Sequence, residues 1–244
     1  MPIPRCGLQK VVLSEQTTMP KRPLPVLNRE DPTHDPLIGN VKVTQEDWLN
    51  LARDVLVNEG VAGIKILTLS ARLDVSRSSF YWYFRNHADL LSALLTEWEA
   101  RNTRTIVAHC EMPADGINAA VCNFFHGFTD RDQFDRGLDS AVRDWARRDD
   151  AVKALILNAD RTRLIATTEM FARHGYAPDD ADARARILYY MQIGYYEAVE
   201  RETLAVRLAR VPGFLKGFTG EDPSPELLAE FTAHAMANAE DAEP

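Results

Sequence analysis

Leu69-Ser70-Ala71-Arg72-Leu73-Asp74-Val75-Ser76-Arg77-Ser78-Ser79-Phe80-Tyr81-Trp82-Tyr83-Phe84 is the stretch that decides the fold of this chain. Leu69 and Leu73 are four residues apart and share one helical face. Asp74 and Ser76 interrupt the pattern, and their short side chains favour turns and helix N-caps because they bond nearby backbone N–H groups. Phe80 and Phe84 then resume the apolar spacing, with Val75 at the joint between the two runs. Two short helices joined by a turn of about three or four residues make a helix-turn-helix. With Phe80 and Phe84 assigned inward, the second helix presents Arg77, Ser78, Ser79, Tyr81, Trp82 and Tyr83. Arg, Ser and aromatic side chains suit phosphate oxygens and base edges better than they suit plain solvent.

The stretch continues Arg85-Asn86-His87-Ala88-Asp89-Leu90-Leu91. From Phe80 onward it resembles the signature of the tetracycline-repressor (TetR) family of bacterial regulators: Leu-Tyr-x-x-Phe, two turn residues, Lys, two mostly acidic residues, then Leu-Leu. Upstream, Leu69 to Ser76 is similar to the family's Ile/Leu-Ala-x-x-x-Gly-Val-Ser. The specific match covers about Thr44 to Leu95; beyond it only the helical pattern fits. Asp74 stands where the family has Gly in a left-handed turn, a conformation Asp tolerates better than most residues. Ser70 replaces Ala. Lys65 falls where a small hydroxyl residue caps the second helix, which predicts a weaker cap. His87 replaces the Lys that touches a phosphate, which would make that contact pH-dependent. Lys65, Arg77, Ser78, Ser79, Tyr81, Trp82, Tyr83 and His87 are therefore the candidate DNA contacts.

The resemblance implies an all-α regulator with a three-helix helix-turn-helix head over 41–90 and a helical effector-binding and dimerisation body over 91–244. It implies a homodimer on a roughly palindromic operator of double-stranded DNA, repression by default, release by a small-molecule effector, and no enzymatic activity. An all-α enzyme or ligand carrier retaining a vestigial head is the competing class, and a gel shift separates the two.

The charge balance needs dividing to be informative. The 244 residues carry 28 Lys/Arg and 36 Asp/Glu, a net of −8. Residues 1–90 hold 11 basic and 10 acidic side chains, so the acidity lies beyond the head. A net of +1 there is a weak basic footprint for a nucleic-acid binder. No apolar run reaches the ~18 residues of a membrane span. Pro and charged residues interrupt the N-terminal apolar runs, against a signal peptide. Cys6, Cys110 and Cys122 are irregularly spaced, consistent with reduced thiols in a cytoplasmic protein.

Along the chain, residues 1–40 are Pro-rich and without periodicity, which predicts a disordered extension, with Lys21-Arg22 able to serve as a minor-groove arm. Thr44 is an N-cap before an acidic first turn, Trp48, Ala52, Val55 and Leu56 share a face, and Gly60 ends the first helix. A second helix spans Ile66 to Leu73. Asn86 caps a fourth helix, with Asp89 three residues on, that runs to about Ala108. From Asp115 the spacing predicts four or five more helices, two of them long (Val152–Phe171 and Ala181 to about Arg201), with breaks at Pro212-Gly213 and from Gly217 to Pro225. A last helix follows Pro225. The resemblance implies that the helices Ala181–Arg201 and Pro225–Ala237 form the dimer contact. No alternating strand pattern of useful length appears.

Large rings are abundant in the second half. Phe124, Phe128, Trp145, Phe171, Tyr189 and Tyr190 are the candidate ligand-binding residues, since a mostly apolar pocket with polar handles would use them. Asp144, Asp149, Asp150 and Asp160 interleave with Arg143, Arg147, Arg148 and Arg161, which predicts surface ion pairs. No Gly-rich phosphate loop or His-Glu-x-x-His run accompanies them. Cys122 and His126 are four apart but match no standard zinc spacing. No metal and no cofactor is expected.

Overall fold

A computed structural model of the chain describes residues 43–129, 133–198 and 202–240. The extension over 1–40, its Lys21-Arg22 arm and Cys6 lie outside the described residues. Eleven α-helices and no strand occur among those described.

The head is α1 (Gln45–Glu59), α2 (Ile66–Arg72) and α3 (Arg77–Phe80). Thr44 Oγ1 accepts the Asp47 N–H at 3.2 Å and the Asp47 carboxylate accepts the Thr44 N–H at 2.7 Å, a reciprocal capping box. An N-cap of this kind stabilises a helix by about 1 kcal/mol. Gly60, at φ 76°, ends α1. Lys65 starts α2 without a side-chain cap, the weakness its departure from a hydroxyl residue predicts. Asp74 adopts φ 55°, so the chain makes the left-handed turn without glycine. Ser76 occupies the N-cap position of α3, but its hydroxyl pairs with Ser78 Oγ at 2.7 Å and bonds no backbone N–H. Beneath the turn, Phe80 meets Trp48 edge-on and Phe84 obliquely, each at 5.3 Å between centroids.

Asn86 caps α4 (His87–Trp98) by accepting the Asp89 N–H at 3.0 Å. The helical path then widens into a π-helical turn, Glu99–Thr103, and continues as α5 (Arg104–Glu111). Six more helices follow: α6 (Ile117–Thr129), α7 (Arg136–Ala146), α8 (Asp150–Arg173), α9 (Pro178–Glu197), α10 (Leu204–Thr219) and α11 (Pro225–Glu240). The unexpected one is α10, which passes through Pro212. Proline in a helix interior costs roughly 3 kcal/mol by removing a hydrogen bond and crowding the preceding turn. Burial of Leu215 and Phe218 on the far side of Pro212 offsets that cost. Gly220, at φ 80°, then ends the helix.

Two cores hold the molecule together. The first joins Trp48, Leu51, Val55 and Leu56 of the head to Leu90, Leu94 and Trp98 of α4, and to Leu138, Val142 and Trp145 of α7. Apolar packing therefore runs across the boundary near residue 90. A Cβ on Gly137 of α7 would stand 3.0 Å from Val57 Cγ1 of α1. The second core gathers Ile106, Phe124, Phe128, Phe171, Leu188 and Tyr189, with Leu215, Phe218 and Phe231 from the last two helices. Leu227 and Leu228 of α11 pack against this core. Exposed large apolar side chains of the later helices lie on α8 (Leu157, Ile165), α9 (Ile187, Tyr190), α10 (Val206) and α11 (Met236).

Candidate functional site

Two places on this frame gather candidate functional side chains. The first is the outer surface of the helix-turn-helix. Arg77 and Ser78 are exposed on α3, and the turn that follows leaves Tyr81 59% and Trp82 85% exposed. A tryptophan of that exposure is rare on a solvated surface, and here it follows Arg and Ser within two helical turns. Ser79 is half-buried. Tyr83 is turned back: its hydroxyl donates to the Val43 carbonyl at 2.6 Å and ties the end of the turn to the entry of α1. Lys65 is exposed at the start of α2.

His87 is the first residue of α4, where the positive end of the helix dipole faces outward. Its Nε2 donates to the Ile64 carbonyl at 2.7 Å, which fixes the ring against the loop before α2 and leaves Nδ1 as the other nitrogen. Beside it Arg85 is exposed and pairs with Asp89 at 3.0 Å, holding that carboxyl below its usual range. Arg85 is a further exposed cation just before α4 that the family signature does not single out.

The second place lies between α7, α8 and α9. Asp139 is its centre. Its Oδ1 accepts from Trp98 Nε1 at 2.8 Å, Arg163 Nη2 at 3.1 Å and Asn102 Nδ2 at 3.4 Å, while Oδ2 accepts from Arg143 Nε at 2.9 Å. Arg143 also forks onto both oxygens of Asp160, at 3.1 and 2.7 Å. The Tyr189 hydroxyl donates to Asp160 at 2.6 Å and accepts from both guanidiniums. Arg163 is fully buried, lies over the Trp98 and Phe134 rings, and donates Nε to Thr103 at 3.2 Å. Burial pushes the Asp139 carboxyl up, but the guanidiniums of Arg163 and Arg143, with the bonds from Arg163 and Trp98, outweigh it and hold the group at about 2. Burial also dominates at Tyr189, whose phenol is raised.

A small hollow with room for about one water lies over this network, lined by Phe128, Ile193, Tyr196, Arg136, Ser140 and Glu197. Of the candidate ligand-binding rings, Phe128 lines it and Tyr189 holds its floor. The six do not share one cluster. Phe124 and Phe171 are buried in the second core, whereas Trp145 sits in the first and donates to Asp149 at 3.2 Å. Tyr190 is 49% exposed on the outer face of α9. The expected surface pairing of Asp160 is likewise corrected, because its partner Arg143 and it are both mostly buried. Asp149 serves as the N-cap of α8. Cys110 and Cys122 are buried thiols, pushed up by burial to about 11 and about 12.

A helix-turn-helix with exposed Arg, Ser and aromatic side chains, carried on an otherwise all-helical body, defines a DNA-binding transcriptional regulator. Residues 49–94 match the family described as "Bacterial regulatory proteins, tetR family". The match covers the head alone, which is similar to that of the tetR family of bacterial regulatory proteins. Similar solved structures include SCO7518 of Streptomyces coelicolor A3(2), a candidate transcriptional regulator (18% identity, TM-score 0.51, 72% of this chain and 98% of that one). A transcriptional regulator of Aquifex aeolicus VF5 is similar at 12% identity and TM-score 0.52, over 72% of this chain and 95% of that one. GusR of Salmonella enterica is similar at 18% identity and TM-score 0.50, over 80% and 99%. At these identities the likeness is one of fold, and it extends past the head into the body. No curated protein matches the chain. Among the described residues no helix is long and apolar enough to cross a membrane.

Proposed function

We propose that this regulator is a repressor that binds a roughly palindromic operator as a homodimer and leaves it when a small molecule occupies the body. The observation that carries the reading is the exposure of Arg77, Ser78, Tyr81 and Trp82 together on the helix-turn-helix. One recognition helix reads only a few base pairs, so two heads at a fixed spacing are needed for useful specificity. The exposed apolar residues of α8 and α9 supply the twofold contact. The head is fastened to the body by shared apolar packing, by the Arg53–Glu97 ion pair between α1 and α4, and by the Trp98–Asp139 bond. A ligand that biases this junction toward a spacing the operator does not fit lowers DNA affinity by its differential binding to the two arrangements.

A gel shift against DNA upstream of the protein's own gene tests the reading. Wild-type protein gives a salt-sensitive, saturable shift, and Arg77→Ala and Tyr81→Ala each weaken it by about 1–3 kcal/mol while circular dichroism is unchanged. Absence of a shift, or full affinity in both variants, would favour a helical carrier or enzyme with a vestigial head.

A further inference from the structure

The packing of α11 on α6 brings two histidines together. His126 of α6 and His234 of α11 have ring centroids 3.9 Å apart, at an interplanar angle of 37°. Phe231 stacks on His126 at 5.2 Å, and Phe125 in turn meets Phe231 at 6.4 Å, so apolar neighbours hold the His126 ring in place. Its Nε2 is buried and has no hydrogen-bond partner. A buried nitrogen in that state is uncommon and is normally satisfied by an ordered water or an ion. His234 is exposed, so the pair opens to solvent on one side. Cys122 and His126 lie one turn apart on α6 and match no standard zinc spacing; the second imidazole comes from α11, which spacing within α6 does not reveal. Glu230 lies one turn before His234, is exposed, and is close enough to Cys122 for its charge to raise that thiol. It sets a negative charge beside the pair. Cys122 itself is buried in the second core. His109 of α5 is a third imidazole in the neighbourhood, with its Nδ1 engaged by the Thr105 carbonyl at 2.9 Å.

We propose that His126 and His234 bind a divalent transition-metal ion, such as zinc or nickel, that fastens α11 to α6. Imidazole nitrogens suit these metals, whereas magnesium and calcium take oxygen ligands. Among the described residues no three His, Cys, Asp or Glu side chains stand ready to hold a metal ion, so the pair supplies two ligands and water supplies the rest. Zn–N bonds of about 2.0–2.1 Å in a tetrahedral arrangement put two ring centroids roughly 5 Å apart. The two rings must therefore part by about 1 Å, and the exposed His234 side chain is the one with room to move. His126 stays on Phe231 and offers Nε2. The site stands on the packing of the body and does not depend on the function proposed above.

The experiment is calorimetric titration of the full, untagged chain with zinc chloride, nickel chloride and magnesium chloride in a non-chelating buffer. Zinc and nickel bind saturably, one ion per chain, and magnesium does not bind. His234→Ala, at an exposed position, and His126→Phe, whose ring keeps the stack on Phe231, each weaken zinc by at least about tenfold, the effect that loss of even an outer partner of a metal ligand produces. His174→Ala, at the end of α8, binds zinc as the wild type does. Zinc at a hundredfold excess over Kd raises the wild-type melting midpoint by about 5 °C and leaves that of His234→Ala unmoved. Absence of zinc binding, magnesium binding as tight as zinc, or an unchanged zinc affinity in either His126→Phe or His234→Ala overturns the proposal.

Discussion

Asp139 and Arg163 are the residues on which most of the body's polar chemistry turns. Removing one partner of a buried ion pair leaves the other charged and desolvated, at a cost of about 3–5 kcal/mol. Asp139→Asn leaves fully buried Arg163 without its carboxylate, and urea unfolding at pH 7 should show a loss of that size. Acid should produce a related effect in the wild type. The Asp139 carboxyl is held at about 2, below its ordinary 3.8, so its stabilisation is complete above 3.8 and is lost as pH falls toward 2. A wild-type protein as stable at pH 2.5 as at pH 5 would contradict this. Charge at both positions is legible in the sequence, because residue 139 falls in the stripe of Val142 and Ala146, and residue 163 in that of Ala159, Thr167 and Met170. Which helices bring the two together is not legible, since helical spacing fixes a face and says nothing of what packs on it. Asp160 was expected at the surface for the same reason. Local signals fared better: the Thr44 and Asn86 caps, the bare Lys65 and the left-handed Asp74 all depend on a few consecutive residues.

At the scale of helices, the packing of α6 against α11 holds a second titrating group. His126 stacks on Phe231 at 5.2 Å and touches the His234 ring at 3.9 Å. Burial, then the neighbouring His234 and His109, lower the His126 imidazole from 6.5 to about 4. A His depressed on folding contributes stability that is present above its unfolded value and lost as pH falls from about 6.5 through 4. Thermal melting should show a midpoint that drops between pH 7 and pH 5, with a smaller drop in His126→Phe, whose ring keeps the stack on Phe231. An identical drop in the variant would assign the effect to other groups. The helix missed in sequence, α10, shows where local signals mislead. Pro212-Gly213 reads as a break by composition, and only contacts made by Leu215 and Phe218 with distant helices keep the backbone helical there.

For the whole molecule, the proposed twofold axis falls on α8 and α9. Ile187, at 58% exposure, and Tyr190 are exposed on α9, as Leu157 and Ile165 are on α8. Ile187→Glu with Tyr190→Glu should give monomers by sedimentation, at protein concentrations where the wild type is dimeric, and should abolish the operator shift while leaving helicity intact. A dimer that survives the double change, but not removal of residues 223–244, would move the axis to the last helix. The π-helical turn at Glu99–Thr103 matters for the aim of the two heads. A π turn is geometrically one extra residue let into an α-helix, and one residue of α-helix is about 100° of rotation about its axis. The insertion is thus a phase setting: it decides the azimuth at which everything before Trp98 is presented relative to everything after Arg104. Deleting Ala100, whose side chain is exposed, would let the path close into unbroken α-helix and turn the head by that angle. Such a protein would take the head out of the packing it shares with α7, so it should keep most of its helicity but melt at a lower temperature and lose the operator shift.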